Sequence, residues 1–176
     1  MSAPGFVEKW MRYAEDRRGD YAYRSRTRYR AVANRLFSLG LTSRHSILDV
    51  GAGTKQFGTY LRMEEAWFGV YKPVDAVLDG RDLNYYEAER ADFIVCIEVL
   101  EHLTNPGRLL DSMGRAARRA VVITTPNSMA VDVLACDPTH VSVIRTPQLL
   151  QEGYTVELHS WFGVPDDSLL AWRVTR

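Results

Sequence analysis

The chain has 176 residues, 46% of them hydrophobic and 25% charged, with a formal net charge of zero; this fits one folded domain and is too short for two comfortable ones. No apolar run approaches the ~20 residues that cross a bilayer, and the first residues lack the apolar stretch of a secretory signal. Cys96 and Cys136 have neither metal-ligand nor disulfide-framework spacing, so the sequence predicts a cytoplasmic protein with no membrane partner. Charge is unevenly spread, residues 1–44 holding 10 Lys/Arg against 4 Asp/Glu and the remainder 12 against 18. That imbalance fits a polyanionic partner or a basic helical layer on an acidic body.

Taken in chain order, Phe6, Val7, Trp10, Met11 and Ala14 recur at helical spacing behind Ser2 and Pro4 and predict a first amphipathic helix. After the break at Arg17 to Asp20, Tyr29, Val32, Ala33, Leu36 and Phe37 form the apolar stripe of a second helix that stops at Gly40. Arg24, Arg26, Arg28, Arg30 and Arg35 occupy its other faces. From Ser46 short apolar runs alternate with helices, predicting an α/β fold with strands at about 46–51, 66–70, 75–79, 92–97 and 120–125. Helices are expected at about 55–64 and 106–117, the second opened by Asn105 and Pro106. A helix at about 146–152 precedes two strands, at about 155–162 and 169–176, whose short GVPDD connection makes them antiparallel. The predicted whole is a Rossmann-like three-layer sandwich. Its mostly parallel sheet, of seven strands or fewer, ends in an antiparallel hairpin, and the single domain comprises a helical cap (1–44) and a core (45–176).

A strand that delivers Asp49 into Gly51-Ala52-Gly53 and then a helix lets backbone approach a ligand where side chains would collide. The helix N-terminus beyond it favours a negative group. A dinucleotide site would want glycine three positions after Gly53, where Gln56 stands, so NAD is disfavoured.

Five segments then follow in order: ILDVGAGTKQFG (47–58), AVLDGRDL (76–83), ADFIVCIEVLEHL (91–103), AVVITTPN (120–127), and HVSVIRTPQLL with GYTVEL (140–158). Together they resemble the class I S-adenosylmethionine-dependent methyltransferases, within the broad type 11 group that includes the ubiquinone-biosynthesis enzymes. The resemblance implies an enzyme that uses S-adenosyl-L-methionine. It places Asp49, Gly51, Ala52 and Gly53 around the methionine end of that cofactor, Asp79, Gly80, Arg81 and Asp82 at its adenine, and Ile97 and Glu98 beneath the methionine part. Two departures stand out. Lys55 replaces the third glycine of the first motif, where it would bring an ammonium near the cofactor carboxylate. The acidic residue expected to hold the ribose is missing, because the second strand reads Val70-Tyr71-Lys72-Pro73, which leaves Tyr71 to bind the ribose or pack on the adenine. The helix between the second and third strands reads as deleted.

Methylation of a hydroxyl needs a group that removes or weakens its proton. Glu98, Glu101 and His102 stand at i, i+3 and i+4, sharing a face if the turn is helical, and His140 returns over the same end of the sheet. This E-x-x-E-H spacing with a downstream His resembles the metal set of small-RNA 2′-O-methyltransferases, and E-x-x-E-H alone is similar to the ubiquinone O-methyltransferases. Three uses remain open. Glu98, Glu101, His102 and His140 would suit a divalent ion such as Mg²⁺ or Mn²⁺; His102 or His140, with Glu101, would serve as a metal-free general base; or His102 orders the loop.

The leading functional reading is methyl transfer to oxygen, and second to nitrogen, of a small-molecule acceptor. An RNA 2′-O-methyltransferase is the next, favoured by the arginine stripe interleaved with Tyr21, Tyr23 and Tyr29. A non-catalytic cofactor- or partner-binding module is the third. Residues 6–40 and the irregular segment 127–145, with its apolar run Ala130 to Ala135, are the candidate lids.

Overall fold

Consecutive residues Phe93, Ile94, Val95, Cys96 and Ile97 are all buried, the pattern of a strand covered on both faces. The computed structural model describes residues 25–175. Its strands are β1 (Ser46–Val50), β2 (Val70–Val74), β3 (Ala91–Ile97), β4 (Ala117–Pro126), β5 (Thr155–His159) and β6 (Ser168–Val174). Its α-helices are α1 (Arg26–Ser38), α2 (Gln56–Met63), the single turns α3 (Ala76–Asp79) and α5 (Val133–Cys136), α4 (Pro106–Ala116) and α6 (Thr146–Gln151). The strands form one sheet of order β2-β1-β3-β4-β6-β5. The first four are parallel, while β6 runs antiparallel to both β4 and β5. This is the predicted mostly parallel sheet with an antiparallel end.

Alternate side chains of each central strand serve opposite layers. Ile47, Phe93, Val95 and Val122 pack with Val32 and Leu36 of α1 and Phe57 and Leu61 of α2. Leu48, Ile94, Cys96 and Val121 pack with Leu109, Leu110 and Met113 of α4 and Leu149 of α6. Asn105 caps α4 by accepting the Arg108 N–H, with Pro106 in the first turn, as the sequence predicts.

Two expectations fail together. The second strand lies at Val70–Val74, not 66–70, and the segment 75–79, expected as a third strand, is the turn α3. Asp75 caps that turn by accepting the Val77 N–H, and Gly80 closes it at φ 69°. The sheet therefore ends at β2, and what is missing beyond it is a strand as well as a crossover helix. As an edge strand β2 has one side open, so it carries Lys72 and Pro73 where a central strand would be apolar.

The expected helix over 6–14, together with Tyr21, Tyr23 and Arg24, lies outside the described residues. The rest of the arginine stripe is engaged within the molecule. Arg26 pairs with Glu64 at 2.5 Å, Arg30 hydrogen-bonds Tyr60, Arg35 pairs with Glu157 and stacks 3.7 Å over the Trp172 ring, and Arg28 is buried. Among the described residues no helix is long and apolar enough to cross a membrane.

Ile94 is fully buried in the layer that also holds α4. Ile94→Ala should cost about 2–5 kcal/mol of stability by loss of burial plus the cavity left behind, read from urea unfolding followed by circular dichroism.

Candidate active site

The carboxyl ends of β1 to β4 and the start of β6 open onto one cavity of about 420 Å³. Topology puts it there: the chain leaves β1 for β2 on one side and then crosses to β3 on the other, so the connections diverge above the sheet. Four strand spacings separate β2 from β6, so the cleft extends about 19 Å along this edge.

At the β1 end, the N–H groups of Gly51 and Ala52 both donate to the Val74 carbonyl, at 2.8 and 3.1 Å. Gly51 has φ 81°, and a Cβ there would sit 2.1 Å from a Val99 methyl, so the turn demands glycine. The Gly53 N–H donates to Asp75 Oδ2 at 2.9 Å, while Asp75 Oδ1 accepts from Val77 N–H at 2.8 Å. Burial raises the Asp75 carboxyl above its usual range, against these two bonds. Asp75, the first residue beyond β2, lines the cavity.

Beneath the turn, Asp49 is buried and accepts a hydrogen bond from the Tyr71 hydroxyl. Burial pushes the Asp49 carboxyl up to about 7, opposed by the Tyr71 bond and reinforced by the Asp75 charge. Burial and the Asp49 charge also hold the Tyr71 hydroxyl well above its ordinary value, so it stays a donor. The Tyr71 ring fills the space left by Gly58, where a Cβ would lie 2.4 Å from it.

Above β3, Glu98 takes the left-handed φ of 53° while its N–H donates to the Thr124 carbonyl. Its Oε2 is 3.7 Å from Arg28 Nη1, both side chains being buried, and its Oε1 is buried without a hydrogen-bond partner. Arg28 also donates to Ser25 Oγ at 3.0 Å and lies 5.4 Å from the centre of the Phe162 ring.

A 3-10 turn, Leu100–His102, follows. Glu101 Oε2 accepts from Thr125 Oγ at 3.1 Å, and Oε1 is buried with no hydrogen-bond partner. Burial, and then the Glu98 charge, raise the Glu101 carboxyl well above the usual range. The Glu101 carbonyl accepts the N–H groups of Val141 and Ser142 at 2.8 and 3.0 Å, which folds the 140–145 segment back over β3. His102 Nδ1 is 3.1 Å from Thr139 Oγ and 3.3 Å from the Thr139 carbonyl. Because the Thr139 hydroxyl donates to Asp137 at 2.6 Å, the imidazole Nδ1 must be the donor, and Nε2 carries the lone pair. His140 Nδ1 lies 2.6 Å from the Val133 carbonyl, which assigns the same tautomer. The two rings are 4.7 Å apart, and Nε2 of His102 is 3.9 Å from Glu101 Oε1.

Of the residues the sequence singles out, Asp49, Gly51, Ala52, Gly53, Ile97, Glu98, Glu101, His102 and His140 line the cavity. Ligand atoms of Glu101, His102 and His140 lie within 4.8 Å of one another. Glu98 is not one of that group, a correction to the expected four-ligand set, because its left-handed backbone precedes the turn and its carboxylate faces Arg28. Tyr71 lies under the turn, on Asp49, and does not line the cavity. Asp79, Gly80, Arg81 and Asp82 do not line the cavity either: Arg81 pairs with Asp79 at 3.0 Å, and Asp82 accepts from Asn84. The lining there is Asp75, Ala76, Val77 and Leu83 instead, because β2 ends four residues later than expected. Lys55, exposed at the cap of α2 with φ 65°, is also off the lining. Sequence reasoning missed Asp75, Arg28, Phe162 and Val164. Asp75 follows directly on V-Y-K-P-V, an edge-strand run whose Lys and Pro mask the strand period.

A family model described as "Methyltransferase domain" matches residues 19–168. No curated protein matches significantly. Among solved structures, the chain is similar to one in the Haloferax volcanii complex between the Trm112 methyltransferase activator and a methyltransferase, at TM-score 0.66 and 11% identity over 96% of this chain and 95% of that one. It is similar to the plantazolicin methyltransferase in complex with SAH, at TM-score 0.64 and 14% identity over 98% and 91%. The magnesium protoporphyrin IX methyltransferase of Synechocystis, with bound SAH, gives TM-score 0.56 and 12% identity over 100% and 90%. At these identities the likeness to the solved structures is one of fold.

Burial pushes the Asp49 carboxyl from its ordinary value of 3.8 up to about 7, so its contribution to stability is complete below pH 4 and is lost as pH rises through about 7. The Tyr71 bond matters most to the charged form. Tyr71→Phe should therefore cost about 1.5–3 kcal/mol at pH 8.5 and clearly less at pH 5.5, measured by urea unfolding at both values. Equal losses would rule out Asp49 as the partner that matters.

Proposed function

Because the chain belongs to the methyltransferase domain family, we propose that it transfers the methyl group of S-adenosyl-L-methionine to an oxygen, or less readily a nitrogen, of a small-molecule acceptor. The observation that carries this reading is one cleft with the glycine turn and Asp75 at one end and Glu101, His102 and His140 at the other.

The residues present fit the cofactor. No atom lies within 4 Å of where a Gly53 Cβ would be, so the turn is open to close approach. Asp75, held by two backbone N–H groups, keeps a second lone pair on each oxygen for a diol such as a ribose. Arg28 and Glu98 together complement the carboxylate and ammonium of an amino-acid end, and Ala76, Val77 and Leu83 offer apolar contact to a base. The SAH in the plantazolicin and protoporphyrin methyltransferase structures supports the same choice. When bound, S-adenosylmethionine supplies a methyl group on a positively charged sulfur. The chain's remaining task is to align the acceptor, since proximity and orientation carry most of such a displacement.

His102 is assigned the acceptor's proton. Its Nδ1–H is held on Thr139, so Nε2 takes the proton, next to Glu101. A divalent ion on Glu101, His102 and His140 is the second reading, favoured by two observations: both imidazoles carry their lone pair on Nε2 with Nδ1–H held by a backbone carbonyl, and Glu101 Oε1 has no hydrogen-bond partner. Such an ion would supply Lewis acidity to the acceptor oxygen. The internal pairing of Arg26, Arg30 and Arg35 supports a small acceptor over RNA.

Calorimetric titration should give saturable binding of S-adenosylmethionine and S-adenosylhomocysteine, with dissociation constants in the ~1 μM–1 mM range. Asp75→Ala should weaken S-adenosylhomocysteine about tenfold or more. Absence of heat with either ligand at high micromolar concentration would remove the enzyme reading. His102→Gln should lower kcat about 10²-fold or more while leaving the affinity for S-adenosylhomocysteine within about twofold. Treatment with EDTA separates the two readings of the acceptor end: a fall in both activity and melting temperature, restored by Mn²⁺, is expected if Glu101, His102 and His140 hold an ion, and no change leaves the proton to His102 alone.

A further inference from the structure

The cofactor assignment occupies the β2, β1 and β3 side of the cleft and leaves the β4 and β6 side without an occupant. Two loops build that side, 127–136 after β4 and 160–167 before β6. They emerge side by side because Pro126 pairs with Ser168 across the antiparallel ladder. Asn127 locks them together: its N–H donates to the Asp167 carbonyl and its Nδ2 to the Asp166 carbonyl, both at 2.8 Å, while its Oδ1 accepts from Met129 N–H at 3.1 Å. The buried Asp167 carboxylate takes the N–H groups of Trp161, Phe162 and Val164 at 2.8, 2.8 and 3.0 Å, and the Ser168 hydroxyl at 2.7 Å. Burial alone would raise this carboxyl, but the four bonds outweigh it and hold it below the usual range.

What this rigid frame presents is apolar. Phe162, 59% exposed, and Val164, 43% exposed, line the cavity from one loop, and Val131 lines it from the other. Met129 and Leu134, 85% and 50% exposed, extend the second loop into solvent. A loop held by its own backbone hydrogen bonds has no need of apolar groups in water, and a patch of them continuous with a cleft marks a ligand surface. The carboxyl groups lining this side are Glu101, Asp137 and Asp167, of which Asp167 is kept ionised by its four bonds, and Arg28 faces Glu98. A carboxylate or phosphate would be repelled here.

We propose that the β4 and β6 end of the cleft docks an uncharged, apolar body of the acceptor, with the group to be methylated extending from it toward His102 and Glu101. The direction rests on the methyltransferase reading; the chemistry of the body rests on the apolar frame alone. Two probes test it by calorimetry on the protein saturated with S-adenosylhomocysteine: 2-naphthol, which has a ring and one hydroxyl, and uridine monophosphate, which has a diol and a phosphate. The 2-naphthol should bind with a dissociation constant about tenfold or more below that of uridine monophosphate. Replacing the solvent-accessible Val131 and Val164 together by Ser should weaken 2-naphthol about fivefold or more, with the S-adenosylhomocysteine affinity changed less than about twofold. Absence of 2-naphthol binding, binding indifferent to the double substitution, or equal or tighter uridine monophosphate each overturns the proposal. Failure of S-adenosylhomocysteine to bind instead overturns the methyltransferase reading, and the 2-naphthol titration run without it still tests the loops.

Discussion

The hydrogen bond from the Gly53 N–H to the Asp75 carboxylate joins the turn after β1 to the end of β2, and the cleft takes its shape from that junction. With Gly51 and Ala52 already donating to the Val74 carbonyl, three successive N–H groups of the turn are fastened to the edge strand. The turn is therefore bound to its neighbour before any ligand arrives, which removes part of the ordering cost of binding. Asp75 is fixed by the same contacts. Its carboxylate meets the cavity in a single orientation, so one residue both closes the loop and offers acceptor oxygens to whatever lies over it.

Below this junction runs a chain of dependence that stands well apart in sequence. Gly58 makes room for the Tyr71 ring, Tyr71 donates to Asp49, and Asp49 lies beneath the glycine turn. Each step answers a penalty set by the next: a buried carboxylate needs a donor, the donor needs an aromatic-sized hole, and only glycine leaves one on the facing helix. The Asp49 carboxyl, pushed up to about 7 by burial, sits at the balance between its two protonation states. A cationic ligand above the turn would draw it to the charged form.

The fold was legible because it is written in periodicities that both layers of the core enforce. Phe93 to Ile97 reads as a strand because every residue is buried, and Asn105-Pro106 marks a helix start because capping is local chemistry. The edge was not legible for the same reason. β2 has solvent along one side, so Tyr71-Lys72-Pro73 carries no apolar signal, while the run Ala66 to Val70 does, and the strand was placed four residues early. That displacement put Asp75 out of sight: an acidic residue reads as missing after Val70, and one stands directly after Val74. The E-x-x-E-H pattern was legible as a cluster, since Glu101, His102 and His140 do converge. The exclusion of Glu98 was not, because a left-handed residue at a strand end is decided by the Thr124 carbonyl across the sheet. Arg28 looked like one of five surface arginines, and nothing local distinguishes the one whose helical face turns inward.

The two ends of the cleft are held by different means, and this division bears on specificity. The end at the glycine turn is fixed chiefly by backbone, glycine N–H groups on a strand carbonyl, with the single carboxylate of Asp75 as the one side chain in the junction. The other end is fixed by Asn127 and Asp167 side chains acting on the backbone of the two loops, and by the Glu101 carbonyl on the segment that carries His140. The groups it displays, the side chains of Val131, Phe162 and Val164, make none of the hydrogen bonds of that frame, which Val131, Phe162 and Val164 join through backbone alone. They are thus able to change with the acceptor while the imidazoles of His102 and His140 keep their tautomers, because those are set by carbonyls of Thr139 and Val133 and not by the displayed surface. On the proposed reading, a cleft built this way separates the group that takes the proton from the surface that selects the acceptor.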